Sequence, residues 1–161
     1  MSGKTTIGEF IAKKMNFDFY DTDLVICKNN NHSIKEIIAK NGEDFFRMEE
    51  SKIIKHYASK NSAVIAIGGG AANQLTVNSI KEYTHRIWLK CPIDILKQRY
   101  APDENTRPLL YNTNNIENAL NEYLQDRHIF YSDCTNIEVD TDKSSPYELA
   151  NQILLYINEN N

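Results

Sequence analysis

Four short stretches rich in β-branched and aromatic residues punctuate the chain: Phe17-Asp18-Phe19-Tyr20, Ala63-Val64-Ile65-Ala66-Ile67, Arg86-Ile87-Trp88-Leu89 and Ile137-Glu138-Val139. They read as strands, and longer segments of helical period lie between them. A strand such as Val64 to Ile67 is apolar on both faces, which suits a parallel sheet covered by helices on each side. The fold class is therefore α/β, a three-layer parallel sheet with helices on both faces. Helices are predicted over about residues 5–15, 34–40, 44–59, 93–100, 115–131 and 146–158. With 161 residues the chain makes one domain, 1–161, large enough to bury a core without disulfides or structural metals.

Charge and apolar patterning narrow the partners. A formal net charge of −4 gives no electrostatic reason to expect nucleic acid. No apolar run approaches the ~18 residues that span a bilayer, so no membrane partner is expected. The first residues are polar and carry no signal-peptide core, and the three cysteines Cys27, Cys91 and Cys134 are dispersed. They read as reduced thiols in a cytoplasmic protein.

The opening Met1-Ser2-Gly3-Lys4-Thr5-Thr6 ends like a phosphate-binding loop, G-x-x-x-x-G-K-[ST], whose first glycine and preceding strand are not in the sequence. In such a loop, backbone N–H groups and the start of the following helix face the phosphates. The lysine reaches the β- and γ-phosphates, and the next hydroxyl holds Mg²⁺. Gly3, Lys4 and Thr5 supply these types, and Ile7, Phe10, Ile11 and Met15 give the helix that must follow. The alternative is a plain amphipathic helix behind an irregular start.

Asp21-Thr22-Asp23 follows the first strand. Ligands of open parallel sheets bind beyond the carboxyl ends of strands, so one carboxylate there can serve Mg²⁺ and the other accept a proton. A helix N-cap is the competing reading. Gly68-Gly69-Gly70 follows the most apolar strand, where three glycines suit a backbone that passes close to a ligand. Arg127 shares a helical stripe with Ile116, Leu120, Tyr123, Leu124 and Tyr131, and Arg47 lies among Phe45, Phe46 and Met48. Two such arginines can clamp a carboxylate, although internal salt bridges, with Glu49 or Glu50 for Arg47, are the alternative. Tyr100 to Asn115 is the longest turn-rich segment, a candidate lid carrying Arg107.

Taken together and in this order, these pieces resemble shikimate kinase. The matches run from Ser2-Gly3-Lys4-Thr5-Thr6-Ile7-Gly8 through Asp21-Thr22-Asp23, Ser33-Ile34-Lys35-Glu36-Ile37, Gly42 to Glu50 and Gly68-Gly69-Gly70-Ala71. They continue to Arg107-Pro108-Leu109-Leu110, Arg127 with Tyr131, and Val139-Asp140-Thr141. The resemblance implies a P-loop kinase fold like that of nucleoside monophosphate kinases, strand order 2-3-1-4-5, a substrate-binding subdomain over about 22–53 and a lid over about 101–115. It implies transfer of the ATP γ-phosphoryl group to the 3-hydroxyl of shikimate, in the route to chorismate and the aromatic amino acids.

By the same resemblance, Ser2, Gly3, Lys4, Thr5, Thr6, Arg107 and Pro146 bind ATP, with Arg99 as a further flank of the base, and Thr5 and Asp21 hold Mg²⁺. Asp23, Arg47, Arg127 and the backbone of Gly68, Gly69 and Gly70 bind shikimate. Lys4, Asp23, Arg107 and Arg127 are the catalytic set, with Asp23 as base, and the expected state is a monomer. The departure is at the front: the family's first strand, central in the sheet, is missing here, so the expectation is a chain that begins inside a longer protein and folds poorly without that strand. Two alternatives stand beside a shikimate kinase: a truncated, non-catalytic chain that binds nucleotide or shikimate, and a related small-molecule kinase such as a gluconate kinase.

Overall fold

In the computed structural model, which describes residues 1–71, 76, 80, 85–100 and 115–160, Gly3 adopts a left-handed φ of 93° and starts helix α1, Lys4–Met15. Asn16, left-handed at φ 56°, stops it and turns the chain into strand β1, Asp18–Asp21. Helix α2, Thr22–Asn30, begins at once because the Asp21 side chain accepts hydrogen bonds from the N–H groups of Asp23 and Leu24. Helix α3, Ile34–Asn41, starts on a Ser33–Glu36 capping box, and Gly42, at φ 85°, makes the corner into α4, Glu43–Ala58. Strand β2, Ala63–Ala66, then leads to a 3-10 turn, Gly69–Ala71.

Strand β3, Ile87–Lys90, and helix α5, Ile93–Gln98, follow. Beyond residues 101–114 come α6, Ile116–Cys134, β4, Ile137–Asp140, and α7, Pro146–Glu159. Pro146 sits in the first turn of α7 behind a Ser145–Glu148 capping box, where its missing N–H costs nothing.

The α/β class and the parallel strands are as expected. β1 pairs with β2 in register Asp18 to Ala63 through Asp21 to Ala66, and β3 pairs with β4 from Ile87 and Ile137 to Lys90 and Asp140. Among the described residues these are two separate two-stranded sheets, with no pairing between β2 and β3, so a continuous 2-3-1-4-5 order is not confirmed. A cavity of about 1600 Å³ is bordered by every residue from Ala63 to Ala71 and from His85 to Pro92. A cavity that touches consecutive residues of a strand meets its edge, because a single face presents only alternate residues.

The core is divided in the same way. Ile7 and Ile11 of α1 pack with Val139 and with Leu149, Ala150, Ile153 and Ile157 of α7. Ile26, Ile34, Ile37, Phe46 and Ile53 make a second cluster among α2, α3 and α4, while Ile54 and Ala58 join Ala71 and Ile80 in a third. Helix α4 thus ties the second cluster to the end of β2.

Helix α2 is absent from the helices expected from periodicity, although the N-cap reading of Asp21-Thr22-Asp23 points to a helix start there. Of its nine residues only Thr22 and Ile26 are buried, so it shows no apolar stripe, and the Asp21 cap is what organises it. No described helix is long and apolar enough to cross a membrane, and the three cysteines carry no disulfide.

Candidate active site

The expected phosphate end is assembled by two short connections at the tips of α1 and β1. Gly3 starts α1 with no side-chain cap, and no acidic residue occupies its first turn, so the first N–H groups of the helix are left for a ligand. Ser2, Gly3, Lys4, Thr5 and Thr6 all line the cavity. Thr5 Oγ1 donates to Asp21 Oδ2 at 2.9 Å, which brings together the two residues expected to hold the cation. They are hard oxygen donors at a helix N-terminus. Among the described residues no group of three or more His, Cys, Asp or Glu forms a metal cluster. Magnesium suits such a place, because it binds one or two protein oxygens and takes the rest from phosphates and water.

The N-cap reading of Asp21 holds, and it uses only one of the two carboxylate oxygens. Oδ1 caps α2 while Oδ2 meets Thr5, so the capping interaction leaves one carboxylate oxygen for the phosphate side. Pro146 lines the same cavity, as do Cys91, Arg99 and Thr141. Arg99 donates from Nη2 to the Thr141 carbonyl at 3.3 Å, which places it just beyond the carboxyl end of β4.

The residues expected to bind the acid lie around the glycines. Arg47 donates from Nη1 to Glu50 and from Nη2 to Glu43, each at 2.9 Å, so the salt-bridge alternative is realised for this residue, with Glu50 and not Glu49 as its inner partner. Glu49 pairs with Lys52. Gly70 must be glycine here: an added Cβ would come to within 2.2 Å of the guanidinium of Arg47. The N–H of Gly68 donates to Thr22 Oγ1 at 3.0 Å, and Tyr131 donates its O–H to the Gly69 carbonyl at 2.9 Å. Three elements, α2, α4 and α6, thereby fix the glycine backbone.

Arg127 lays its guanidinium 3.6 Å from the centroid of the Tyr123 ring and donates from Nη1 to the Tyr123 carbonyl. Its Nε is buried with no hydrogen-bond partner among the described residues. Lys4, Asp23, Arg47 and Gly68 to Gly70 line one shared hollow, and Arg127 joins it through Tyr123, which also lines it. Arg107 and residues 101–114 of the expected lid lie outside the described residues.

Burial and the nearby Asp23 charge push the Glu50 carboxyl up to about 7, against the pull of Arg47. Burial lowers Arg47, but Glu50 and Glu43 outweigh it and leave the guanidinium more firmly charged than usual. Tyr123 and Tyr131 are both raised, chiefly by burial, which keeps their hydroxyls as donors.

Glu50 is the residue that the sequence reading assigned no role in the site. Its spacing from Phe46, Ile53 and Ile54 puts it on the buried stripe of α4, and an acid on such a stripe is a detectable signal. Thr22 was passed over because a threonine between two aspartates carries no distinguishing pattern.

A family model described as shikimate kinase matches residues 1–158. A shikimate kinase of Persephonella marina is 32% identical over 95% of this chain and 91% of its own length. One from Flavobacterium psychrophilum is 35% identical, over 94% and 91%. Among solved structures, shikimate kinase from Acinetobacter baumannii in complex with shikimate superposes with a TM-score of 0.92 at 31% identity, covering 99% of this chain and 88% of that one.

Proposed function

The chain belongs to the shikimate kinase family, and on that premise we propose how its own residues serve the transfer of the ATP γ-phosphoryl group to the 3-hydroxyl of shikimate. The observation that carries the assignment is that the Gly3 to Thr6 helix start, Arg47, and Asp23 and the three glycines, which follow the carboxyl ends of β1 and β2, all line one cavity that also runs along β2 and β3. The N–H groups at the start of α1 and the ammonium of Lys4 bind the β- and γ-phosphates and carry charge that builds on them during transfer. Thr5 and Asp21 would hold Mg²⁺, which when bound would neutralise phosphate charge. Pro146 and Arg99 border the base.

Shikimate sits against Gly68 to Gly70 with its carboxylate toward Arg47 and Arg127, and Asp23 orients the 3-hydroxyl and accepts its proton. No covalent nucleophile is needed, since a loose phosphoryl transition state asks for alignment and charge neutralisation. Helices α2 and α3 with the first part of α4, whose apolar residues form their own cluster, are the substrate-binding subdomain. The lid and Arg107 close over the phosphates, and the enzyme acts as a cytoplasmic monomer without nucleic acid or membrane.

The test is release of ADP on adding shikimate to protein, Mg²⁺ and ATP, with gluconate as the comparison acid. Shikimate-dependent release well above the gluconate rate is expected. A folded protein that binds both ligands and releases no ADP would instead be a binding protein.

A further inference from the structure

The transfer as described gives no work to Glu50, yet its surroundings are those of a group that changes charge. Its side chain is only 1% exposed. Oε2 accepts from Arg47, and Oε1 is buried with no hydrogen-bond partner among the described residues. A Cβ added to Gly68 would lie 2.6 Å from Glu50 Oε1 and 2.7 Å from Asp23 Oδ1, so two acids converge on one glycine.

The groups facing Glu50 come from three helices. α4 itself supplies Arg47, with Glu43 on its far side; α2 supplies Asp23; α6 supplies Arg127, Tyr123 and Tyr131, both tyrosines keeping their protons. From the β2 side comes only the uncharged backbone of Gly68. Three carboxylates thus stand against two guanidiniums before any ligand arrives.

A substrate carboxylate on Arg47 adds a fourth negative charge and competes for both arms of the guanidinium. Glu43 is 48% exposed and can turn into water. Glu50 has no such exit, and a buried carboxylate beside a second one is relieved by binding a proton.

We propose that Glu50 takes up a proton from solvent as the acid substrate seats on Arg47, so that affinity for the acid is linked to pH through this one carboxyl. The inference rests on the proposed function. It makes Glu50 a positioning residue that acts through Arg47. Without substrate the carboxyl already stands at about 7. An added negative charge moves it further up, so uptake is read in neutral to mildly alkaline solution.

The experiment is calorimetric titration of shikimate into the protein at pH 7.5 in two buffers of different ionisation enthalpy, beside the same titration of Glu50→Gln. For the unaltered protein the apparent enthalpies should differ between buffers in the direction of proton uptake. Its dissociation constant should rise by up to about tenfold per pH unit above pH 7. The variant should show neither dependence. Shikimate binding with no buffer dependence, or a variant that retains it, overturns the linkage and leaves the kinase assignment standing. Failure of the folded protein to bind shikimate at all overturns that assignment, and this inference with it. If the variant does not fold, ¹³C-carboxyl titration of the unaltered protein decides: the Glu50 midpoint must move up on adding shikimate, and an unmoved midpoint sinks the proposal.

Discussion

Thr5 Oγ1 donates to Asp21 Oδ2 at 2.9 Å, joining the first turn of α1 to the end of β1. Asp21→Asn separates the two duties of that residue, because asparagine caps a helix about as well as aspartate but carries no charge for a cation. Chemical denaturation should move by less than about 1 kcal/mol. Turnover at saturating ATP should fall on the order of 100-fold, with a raised Mg²⁺ requirement. A large loss of stability with an unchanged Mg²⁺ requirement would make Asp21 a cap alone.

Gly70→Ala puts a methyl group 2.2 Å from Arg47 Nη1, and the flexible end of that side chain, not the backbone, must yield. The fold should therefore survive while the acid seat is displaced. KM for shikimate should rise at least about tenfold, corresponding to roughly 1.4 kcal/mol, with KM for ATP unchanged. Steady-state kinetics with each substrate varied in turn would show it.

Lys4→Ala and Arg127→Ala act on opposite ends of the hollow. The first should abolish measurable turnover, because no other described residue of the α1 start is cationic. The second should raise KM for shikimate by on the order of 100-fold and leave ATP binding nearly intact. Arg127→Lys should not restore the acid site, since an ammonium cannot lie flat on Tyr123 and offer two parallel donors. Equal damage to both ligands by either alanine variant would contradict the division of roles.

Glu50 also writes a pH dependence into stability. Its carboxyl stands at about 7 in the fold against an ordinary 4.5, so between those values the folded state holds the extra proton. Its contribution is fully present below about pH 4.5, is lost as pH rises to about 7, and is level beyond. The change is about 3 kcal/mol at most. Urea unfolding of the protein and of Glu50→Gln at pH 5 and pH 8.5 should shift their difference in favour of the variant at the higher pH. A difference independent of pH would mean an ordinary carboxyl.

Much of this was legible because local chemistry and tertiary placement agree. Val64 to Ile67 is apolar on both faces and most of it lies in strand β2, half-buried except at Ala66, while Ser145 with Glu148 and Pro146 spell out a helix start that the structure uses. Gly3-Lys4-Thr5 could be placed because it matches the end of a phosphate-loop pattern followed by a helix, and Gly3 takes the positive φ, 93°, that glycine tolerates there. The partners of Arg47 were not readable in full: Glu43, Glu49 and Glu50 all lie within helical reach, and the choice among them depends on which face of α4 is covered. Helix α2 escaped because its order comes from one side-chain cap and not from periodicity.

The edges of β2 and β3 that border the cavity have a kinetic consequence. Each strand has a pairing partner on one flank only among the described residues, so alternate amides of β2 and β3 point toward that hollow and not into a ladder. Deuterium should therefore enter those two strand edges early, while α1 and α7, clasped around Ile153, take up label late. Label would thus separate strands of the two parallel pairs from the helices packed beside them.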